Sequence, residues 1–471
     1  MTPSVSRLLE PIRSSYWFVP SVMSVAAIAL GIVTVWLDSG PAADWLDGLG
    51  WYQSVKPDGA HEVLSTIAGS MITVAGVVFS ITIVAISFAA SQYGPRILTN
   101  FMSDRGNQVT LGTFVATFLY CLVVLRTIRG GDEDFVPQLA VMVGLLFALA
   151  SIGVLIYFIH HVTQSIHINT ITSRVARQLV GSIERRFPAC VGDPPDQSDD
   201  QRAAFRRKAE EAFGNGDVAR IASNKDGYLQ AVDDDRLLSI ACEHRLLLRL
   251  DHGPGEFLYR GGTVLLAHPS GRVSEEIADE LRKSWTVGSD RTPEQDILFL
   301  IDELVEIAAR ALSTGVNDPY SAMTCTNWLA AGLAEIARRQ SPSPYRLDDK
   351  GELRLIVEPS LFDEHLQRGL GRLRPYAARD VNAATHFLAA IAGLGEQNLS
   401  ARQRELLGEE ADALLDLARR ELDGPSKDRV EEQMAITRRA LDQAEPAYGR
   451  SPRGQKDMSG PRQAAARPAA E

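Results

Sequence analysis

The sequence predicts an α-helical membrane protein with four transmembrane helices, followed by a cytoplasmic α/β module and a mostly helical region. Four segments are each apolar over about 20 residues, the helical length that crosses a hydrocarbon core of about 30 Å. Short apolar runs between glycine-rich turns come next, and then charged segments with helical periodicity. The mean hydropathy of the 471 residues is close to zero because an apolar first third is averaged with a charged remainder.

The four spans are predicted at residues 16–37, 63–90, 109–125 and 139–159. Trp17 and Trp36 flank the first span, as expected of amphipathic rings at the headgroup level. Its apolar run is longer than the roughly 7 to 15 residues of a signal-peptide core, and no A-x-A cleavage pattern follows. We therefore interpret the first span as a retained anchor.

The basic residues in the short flanks predict the orientation, because lysine and arginine tend to remain on the cytoplasmic side. One side holds Arg7, Arg13, Arg96, Arg105, Arg174 and Arg177, and the other holds Lys56, Arg126 and Arg129 among more numerous acidic residues. Both termini are therefore predicted to be cytoplasmic.

The second span carries small and hydroxylated side chains along one edge. A repeat of 3.5 residues keeps one helix edge turned toward a partner in a left-handed supercoil. The residues that recur at this interval form the candidate seam: Thr66, Gly69, Thr73, Gly76, Ser80, Ser87 and Ala90.

Two interpretations of the candidate seam stay open. Helices in lipid associate through close packing of small residues, so the seam could serve assembly alone. Copies of the helix around an axis could instead turn the hydroxyls toward a water-filled conduit. Glu62 at the outer end and Arg96 at the inner end are candidate mouth residues of opposite charge, so neither cation nor anion selectivity is predicted.

The chain is predicted to divide into a transmembrane domain (1–167), a juxtamembrane helix and linker (168–200), a small α/β module (201–270), a helical cytoplasmic region (271–442) and a disordered tail (443–471). The fourth span is expected to continue as one helix into the cytoplasm. The module is predicted to contain strands at 228–232, 246–250 and 263–267, and a helix at 234–244 that the run Asp233–Asp235 could cap.

The helical region is predicted from apolar periodicity at 297–311, and further helices are predicted at 360–370, 381–394, 401–422 and 427–442. In "STGVNDPYSA", Gly315 fits a helix stop, Asp318 the next N-cap and Pro319 the first helical position. Asp296, Asn317 and Asp318 could converge on a ligand, although turn chemistry explains the same residues.

Composition excludes several classes of function. The net charge of -11 argues against nucleic acid as a partner. The four cysteines are far apart and form no disulfide framework or C-x-x-C pair, which fits a reducing compartment. No phosphate-binding loop, H-E-x-x-H or G-x-S-x-G pattern occurs, so we expect no enzyme, no cofactor and no metal site.

The segments "STIAGSMITVAGVVFSITIVA", "SQYGPRIL", "LIYFIHHV" and "RALSTGVNDPYSA" resemble one bacterial family of membrane proteins, known as domain of unknown function 2254. The resemblance covers about residues 16–441. It implies several spans, a cytoplasmic C-terminal region and a location in the bacterial inner membrane, and it implies no activity or site residues. Thr314 stands where proline is usual in that family.

Together these observations favour an oligomeric inner-membrane protein, with a channel or pore as one interpretation, in which the second span lines or packs around an axis and the cytoplasmic region gates or assembles it. The alternative is a membrane-anchored binding or scaffold module without transport. An enzyme that acts on lipid or envelope material is a third hypothesis. The expected partners are the lipid bilayer and further copies of the chain, with any ion or small ligand unidentified.

Overall fold

The computed structural model describes residues 17–39, 56–93, 104–130, 135–165, 167–187, 199–339 and 341–443. Arg96, most of the linker before residue 199 and the tail after residue 443 lie outside these ranges.

Four helices are long enough and apolar enough to cross a membrane, as predicted. They are α1 (Phe18–Asp38), α2 (Pro57–Tyr93), α3 (Arg105–Leu125) and α4 (Gln138–Ser165). The central helix is α3, which contacts the other three and is the most buried of the four. The four candidate spans therefore form one bundle around α3.

Small residues and hydroxyls hold this bundle together, as is usual between helices in lipid. A Cβ on Gly112 would lie 3.2 Å from the Pro20 backbone, so α1 and α3 can approach closely only with glycine there. The Tyr120 hydroxyl lies 3.0 Å from Thr34 Oγ1 and donates to the carbonyl of Ala140 at 3.0 Å. These contacts tie α3 to α1 and α4.

The inward edge of α2 is a second small-residue repeat, distinct from the candidate seam. Its members recur every three or four residues and are all buried: Ala60, Leu64, Ala68, Met71, Ala75, Val78, Thr82, Ala85 and Ala89. This edge packs on α3 and α4, and it accounts for the place of α2 in the bundle.

The fourth span does not continue as one helix, contrary to the prediction. The helix α4 ends at Ser165, His167 is extended (φ -63°, ψ 129°), and a new helix, α5, spans Ile168–Arg186. The junction carries Ile166, Ile168 and Thr170, β-branched residues that favour helices less than unbranched ones do.

A mixed α/β region follows, as predicted. It contains α6 (Asp199–Gly214), β1 (Ala219–Ala222), β2 (Gly227–Val232), α7 (Asp234–Glu243), β3 (Leu247–Leu250), β4 (Phe257–Leu258), β5 (Thr263–His268), α8 (Glu275–Arg282) and β6 (Trp285–Gly288). The three predicted strands and the helix at 234–244 are confirmed within one residue. Asp233 caps α7, since its carboxylate accepts a hydrogen bond from the Arg236 amide at 3.1 Å.

Two further strands, β7 (Tyr345–Leu347) and β8 (Leu353–Val357), lie within the range predicted to be mostly helical. They complete a five-stranded sheet with the order β1-β5-β3-β8-β7, and β4-β2-β6 form a second sheet. The β3–β8 pair is parallel, whereas the other pairs are antiparallel. The carboxyl ends of β3 and β8 therefore meet at one edge of the sheet.

The remaining elements are helical and share one core. They are α9 (Ile297–Ala311), α10 (Pro319–Arg338), α11 (Phe362–Leu366), a π-helical turn (Gln367–Gly371), α12 (Arg372–Ala377), α13 (Val381–Gly395), α14 (Ala401–Glu421) and α15 (Gly424–Gln443). Asp318 caps α10 and Pro319 is its first residue, as predicted, but α9 already ends at Ala311, before Gly315. We call residues 199–339 and 341–443 the C-terminal body.

The helix α5 joins the spans to this body. Ile171, Val175, Leu179 and Ile183 are buried in the same core as α9, α10 and α13. Gly332 of α10 lies against Leu179, and Arg339 Nη1 donates to the Phe187 carbonyl at 3.0 Å. The two helices α5 and α10 therefore run side by side in the same direction.

We predict that Gly332→Leu destabilises the protein, because a Cβ at this position would lie 2.8 Å from Leu179 Cδ2. Overpacking of this kind costs about 1–3 kcal/mol of unfolding free energy. Gly181→Ala on α5 is the control, since a Cβ there would meet only the end of the Arg185 side chain at 3.5 Å. Thermal unfolding in lipid nanodiscs measures the unfolding midpoints of the two variants. Equal midpoints would contradict the packing of α5 on α10.

Candidate functional site

The candidate seam lies on the outer side of α2. Thr66, Gly69, Thr73, Gly76, Ser80 and Ser87 are exposed in the single chain, and Ala90 is half-buried. Apart from the helix's own backbone, no atom of the described residues lies within 4 Å of a Cβ built on Gly69 or Gly76. The Thr73 hydroxyl donates to the Gly69 carbonyl at 2.8 Å, so its hydrogen bond is satisfied within the helix. No described element therefore packs on this edge at its two glycines.

The two candidate mouth residues are placed differently. Glu62 is exposed near the start of α2, five residues after Pro57. Arg96 lies outside the described residues.

The opposite end of the bundle carries an ionic cluster that the sequence analysis missed. Asp104 caps α3 and accepts hydrogen bonds from the amides of Gly106 and Asn107 at 2.9 and 3.2 Å. His161 Nε2 lies 2.8 Å from the same carboxylate, and Arg174 of α5 lies 3.8 Å from it. Asp104 thus joins the start of α3, the end of α4 and the start of α5.

The C-terminal body contains a cleft of about 1160 Å³. Its walls are the end of α5 (185–187), the loop after β3 (251–257), the residues after β8 (358–360) and the start of α9 (295–298). Ligands in open α/β sheets commonly bind where the carboxyl ends of parallel strands meet, and β3 and β8 end here. The cleft is therefore a candidate binding site.

Two buried carboxylates and three arginines form a cluster beside the cleft, and its members Arg291, Asp296 and Arg368 line the cleft. Asp302 on α9 accepts two hydrogen bonds from Arg368 at 2.7 Å, one from Arg372 at 3.1 Å and one from Arg291. Arg291 also donates to Asp296, the N-cap of α9, at 2.7 Å. Arg368 lies in the π-helical turn and Arg372 directly follows it, and these residues, four positions apart, both bind the Asp302 carboxylate.

The two carboxylates respond differently to burial. Burial alone would raise the pKa of Asp302, but hydrogen bonds from Arg368 and Arg291 outweigh it and hold that pKa below its usual value. Burial raises the pKa of Asp296, and the charge of Arg291 only partly opposes this. Asp302 therefore holds its negative charge to lower pH than Asp296 does.

The loop after β3 closes tightly on Asp296. Gly255 has a φ of +93°, a left-handed conformation that favours glycine, and any Cβ there would clash with the Asp296 carboxylate. Within the same loop, Glu256 lies 2.7 Å from His252 Nδ1 and accepts from the Gly253 amide at 2.9 Å. The glycine-rich segment that the sequence suggested only as a connection is therefore a wall of the cleft.

Two arginines at the end of α5, Arg185 and Arg186, line the cleft. Arg185 donates to the Ser182 hydroxyl at 3.0 Å, and no described carboxylate forms an ion pair with Arg185 or Arg186. Among the other lining residues, Glu364 has a pKa that burial raises. The arrangement offers two guanidinium groups to an anionic group of a ligand.

The structure does not bring the three weak candidates of the sequence together. Asp296 lines the cleft at the start of α9. Asn317, with a φ of +50°, and Asp318 lie in the turn after the other end of α9. Asp318 accepts hydrogen bonds from the amide and hydroxyl of Ser321, which is turn and capping chemistry.

Four apolar helices followed by a mixed α/β and helical body are typical of an integral membrane protein with a large part outside the membrane. The chain belongs to the family DUF2254, described as "Predicted membrane protein", whose profile matches residues 13–393. This confirms the family resemblance of the sequence.

Two mycobacterial proteins are similar to this chain in sequence. Uncharacterized proteins of Mycobacterium bovis and Mycobacterium tuberculosis are each 30% identical to the chain over 406 residues. The match covers 84% of this chain and 75% of each relative. No solved structure matches the chain significantly.

We predict that Asp302→Asn destabilises the protein by about 3 kcal/mol, because Arg291, whose side chain is 11% exposed, then keeps only one of its two carboxylate partners. The pKa of Asp302 is depressed in the folded state, so its stabilisation is present above the unfolded pKa of about 3.9 and is lost as the pH falls further. The difference between the two proteins should therefore shrink below about pH 4.

Asp412→Asn is the matched control, since Asp412 forms an exposed ion pair with Arg438, which contributes at most about 1 kcal/mol. Denaturant unfolding between acidic and neutral pH measures the stability of the wild-type protein, Asp302→Asn and Asp412→Asn. Equal stabilities of Asp302→Asn and Asp412→Asn at neutral pH would refute the role of Asp302.

Proposed function

We propose that this protein is an oligomeric membrane protein of the bacterial inner membrane, assembled through the outer edge of α2. Both termini and the C-terminal body lie in the cytoplasm, where the body serves as assembly platform or gate. The observation that carries the proposal is the candidate seam, where a Cβ on Gly69 or Gly76 would meet no neighbouring element among the described residues. Because helices in lipid associate by close packing of small residues, a second copy of α2 is the natural occupant of this edge.

The proposal extends to a conduit along the oligomer axis. The hydroxyls of Thr66, Thr73, Ser80 and Ser87 are exposed on one edge, and in a ring of α2 helices they would face the axis. Polar groups at membrane depth are tolerated where they border a water-filled cavity. Glu62 would then form a ring at one mouth of the conduit.

Contact between α9 and α2 supports the role of the body as a gate. The first turn of α9 lines the cleft, and the helix also touches the second span. A change at the cleft would therefore reach α2 through a single helix. The proposal includes no enzymatic step.

We predict that the full-length protein in lipid nanodiscs contains several copies and that Gly76→Leu reduces this number. A Cβ at this position would meet no neighbouring element among the described residues, so an effect of leucine there reports a contact between chains. Val77→Leu is the matched control, because Val77 is also exposed, at 53%, but lies off the seam. Native mass spectrometry or single-molecule photobleaching counts the copies, and a monomeric wild-type protein would contradict assembly.

Conduction is tested separately with the wild-type protein, Gly76→Leu and Val77→Leu in planar bilayers. We expect currents from the wild-type protein and from Val77→Leu, and altered currents from Gly76→Leu. An oligomer that stays electrically silent across ionic conditions would refute the conduit and leave helix packing as the role of the seam.

A second candidate function is a membrane-anchored binding module without transport, and the cleft favours it. The cleft combines Arg185 and Arg186, neither of which has an ion pair with a described carboxylate, with the carboxyl ends of β3 and β8. Guanidinium groups bind phosphates and carboxylates through paired hydrogen bonds. The ligand would therefore be a polar small molecule with an anionic group.

We predict that such a ligand raises the thermal unfolding midpoint of the full-length protein, because it binds the folded state alone. Inorganic phosphate, a nucleoside monophosphate and a dicarboxylate are the probes. Arg186→Gln should abolish the shift, whereas Arg260→Gln, an exposed arginine outside the cleft, should retain it. A shift that survives in Arg186→Gln, or no shift with any probe, would contradict an anion-binding cleft.

A further inference from the structure

The turn between α9 and α10 exposes two apolar side chains. Tyr320 is 72% exposed, the largest value among the large apolar residues that the structure describes, and Val316 is 42% exposed. The helices on either side are buried in the core of the body. These two exposed apolar side chains at the tip of a buried hairpin are a candidate contact surface.

The packing of α5 places this turn at the end of the body nearest the spans. Arg339 at the end of α10 bonds to Phe187, 152 residues earlier, and the two helices run in the same direction. Extended back along both helices, the same separation of 152 residues would bring Tyr320 to the level of Ile168, the first residue of α5. Ile168 follows the last residue of α4, Ser165, by three positions.

The length of α4 indicates where the start of α5 lies relative to the bilayer. Its 28 residues span about 42 Å at 1.5 Å per residue. A bilayer measures about 30 Å across its hydrocarbon core and about 40–45 Å with the headgroups. The end of α4, and with it the start of α5 and α10, therefore lies at the level of the headgroups.

The chemistry of the turn fits that level. Tyrosine is enriched where a ring can enter the interface while its hydroxyl stays in water. The carboxylate of Asp318 is engaged by Ser321 as a helix cap, which reduces its availability to water.

We propose that residues 312–320 rest on the headgroups of the bilayer that holds α1–α4, with the Tyr320 ring inserted among the lipids and Val316 against them. This contact goes beyond assembly and ligand binding, since it requires neither a second copy nor an occupied cleft. It holds one end of α9 on the bilayer surface while the other end lines the cleft.

Site-specific photocrosslinking tests the contact in the full-length protein. Benzoylphenylalanine replaces Tyr320 in nanodiscs of phosphatidylethanolamine and phosphatidylglycerol, and mass spectrometry identifies the adducts. Tyr259 is the matched control, because it is 70% exposed and follows Phe257, which lines the cleft at the far end of α5. The same probe at position 316 provides a second reporter.

We expect lipid adducts at positions 320 and 316 in several-fold higher yield than at position 259. Equal lipid yields at positions 320 and 259 would overturn the proposal. Adducts of position 320 with protein alone would also overturn it and would assign the turn to a contact between chains. High exposure of Tyr320 makes loss of folding an improbable cause of either negative result, and the thermal midpoint of each variant checks this directly.

Discussion

The packing of α5 into the core of the C-terminal body is the constraint on which the other features depend. Four of its side chains are buried with α9, α10 and α13, and its start is tied to the spans through Asp104 and Arg174. Because both ends are held, α5 determines where the body sits relative to the bundle. It also supplies Arg185 and Arg186 to the cleft and packs beside α10, whose first turn carries Tyr320.

The four spans could be predicted from hydropathy because length and apolar content are properties of a single segment. The packing edge of α2 could not be chosen in the same way. Gly76 on one edge and Ala75 on another both satisfy the rule that small residues mediate helix contacts in lipid. Within the chain the alanine edge is buried and the glycine edge is exposed, and only the positions of α3 and α4 distinguish them.

In the body, local chemistry was predictable and distant pairing was not. Asp233 and Asp318 cap helices as their sequence context predicts, because a cap depends on the next three residues. The parallel pairing of β3 with β8 joins segments about a hundred residues apart, and no local signal indicates it. The cleft depends on this pairing, so of its residues only Asp296 was a candidate from the sequence. The break at His167 was missed because apolar and polar residues continue at helical spacing across it.

The central claim is that the spans and the body form one structural unit through α5. Hydrogen–deuterium exchange of the full-length protein in nanodiscs tests it most directly. Amides of Ile168–Arg186 should be protected to the same degree as those of Ile297–Ala311, which lie in the same core. Exchange in α5 as fast as in an open linker, with α9 still protected, would contradict the account.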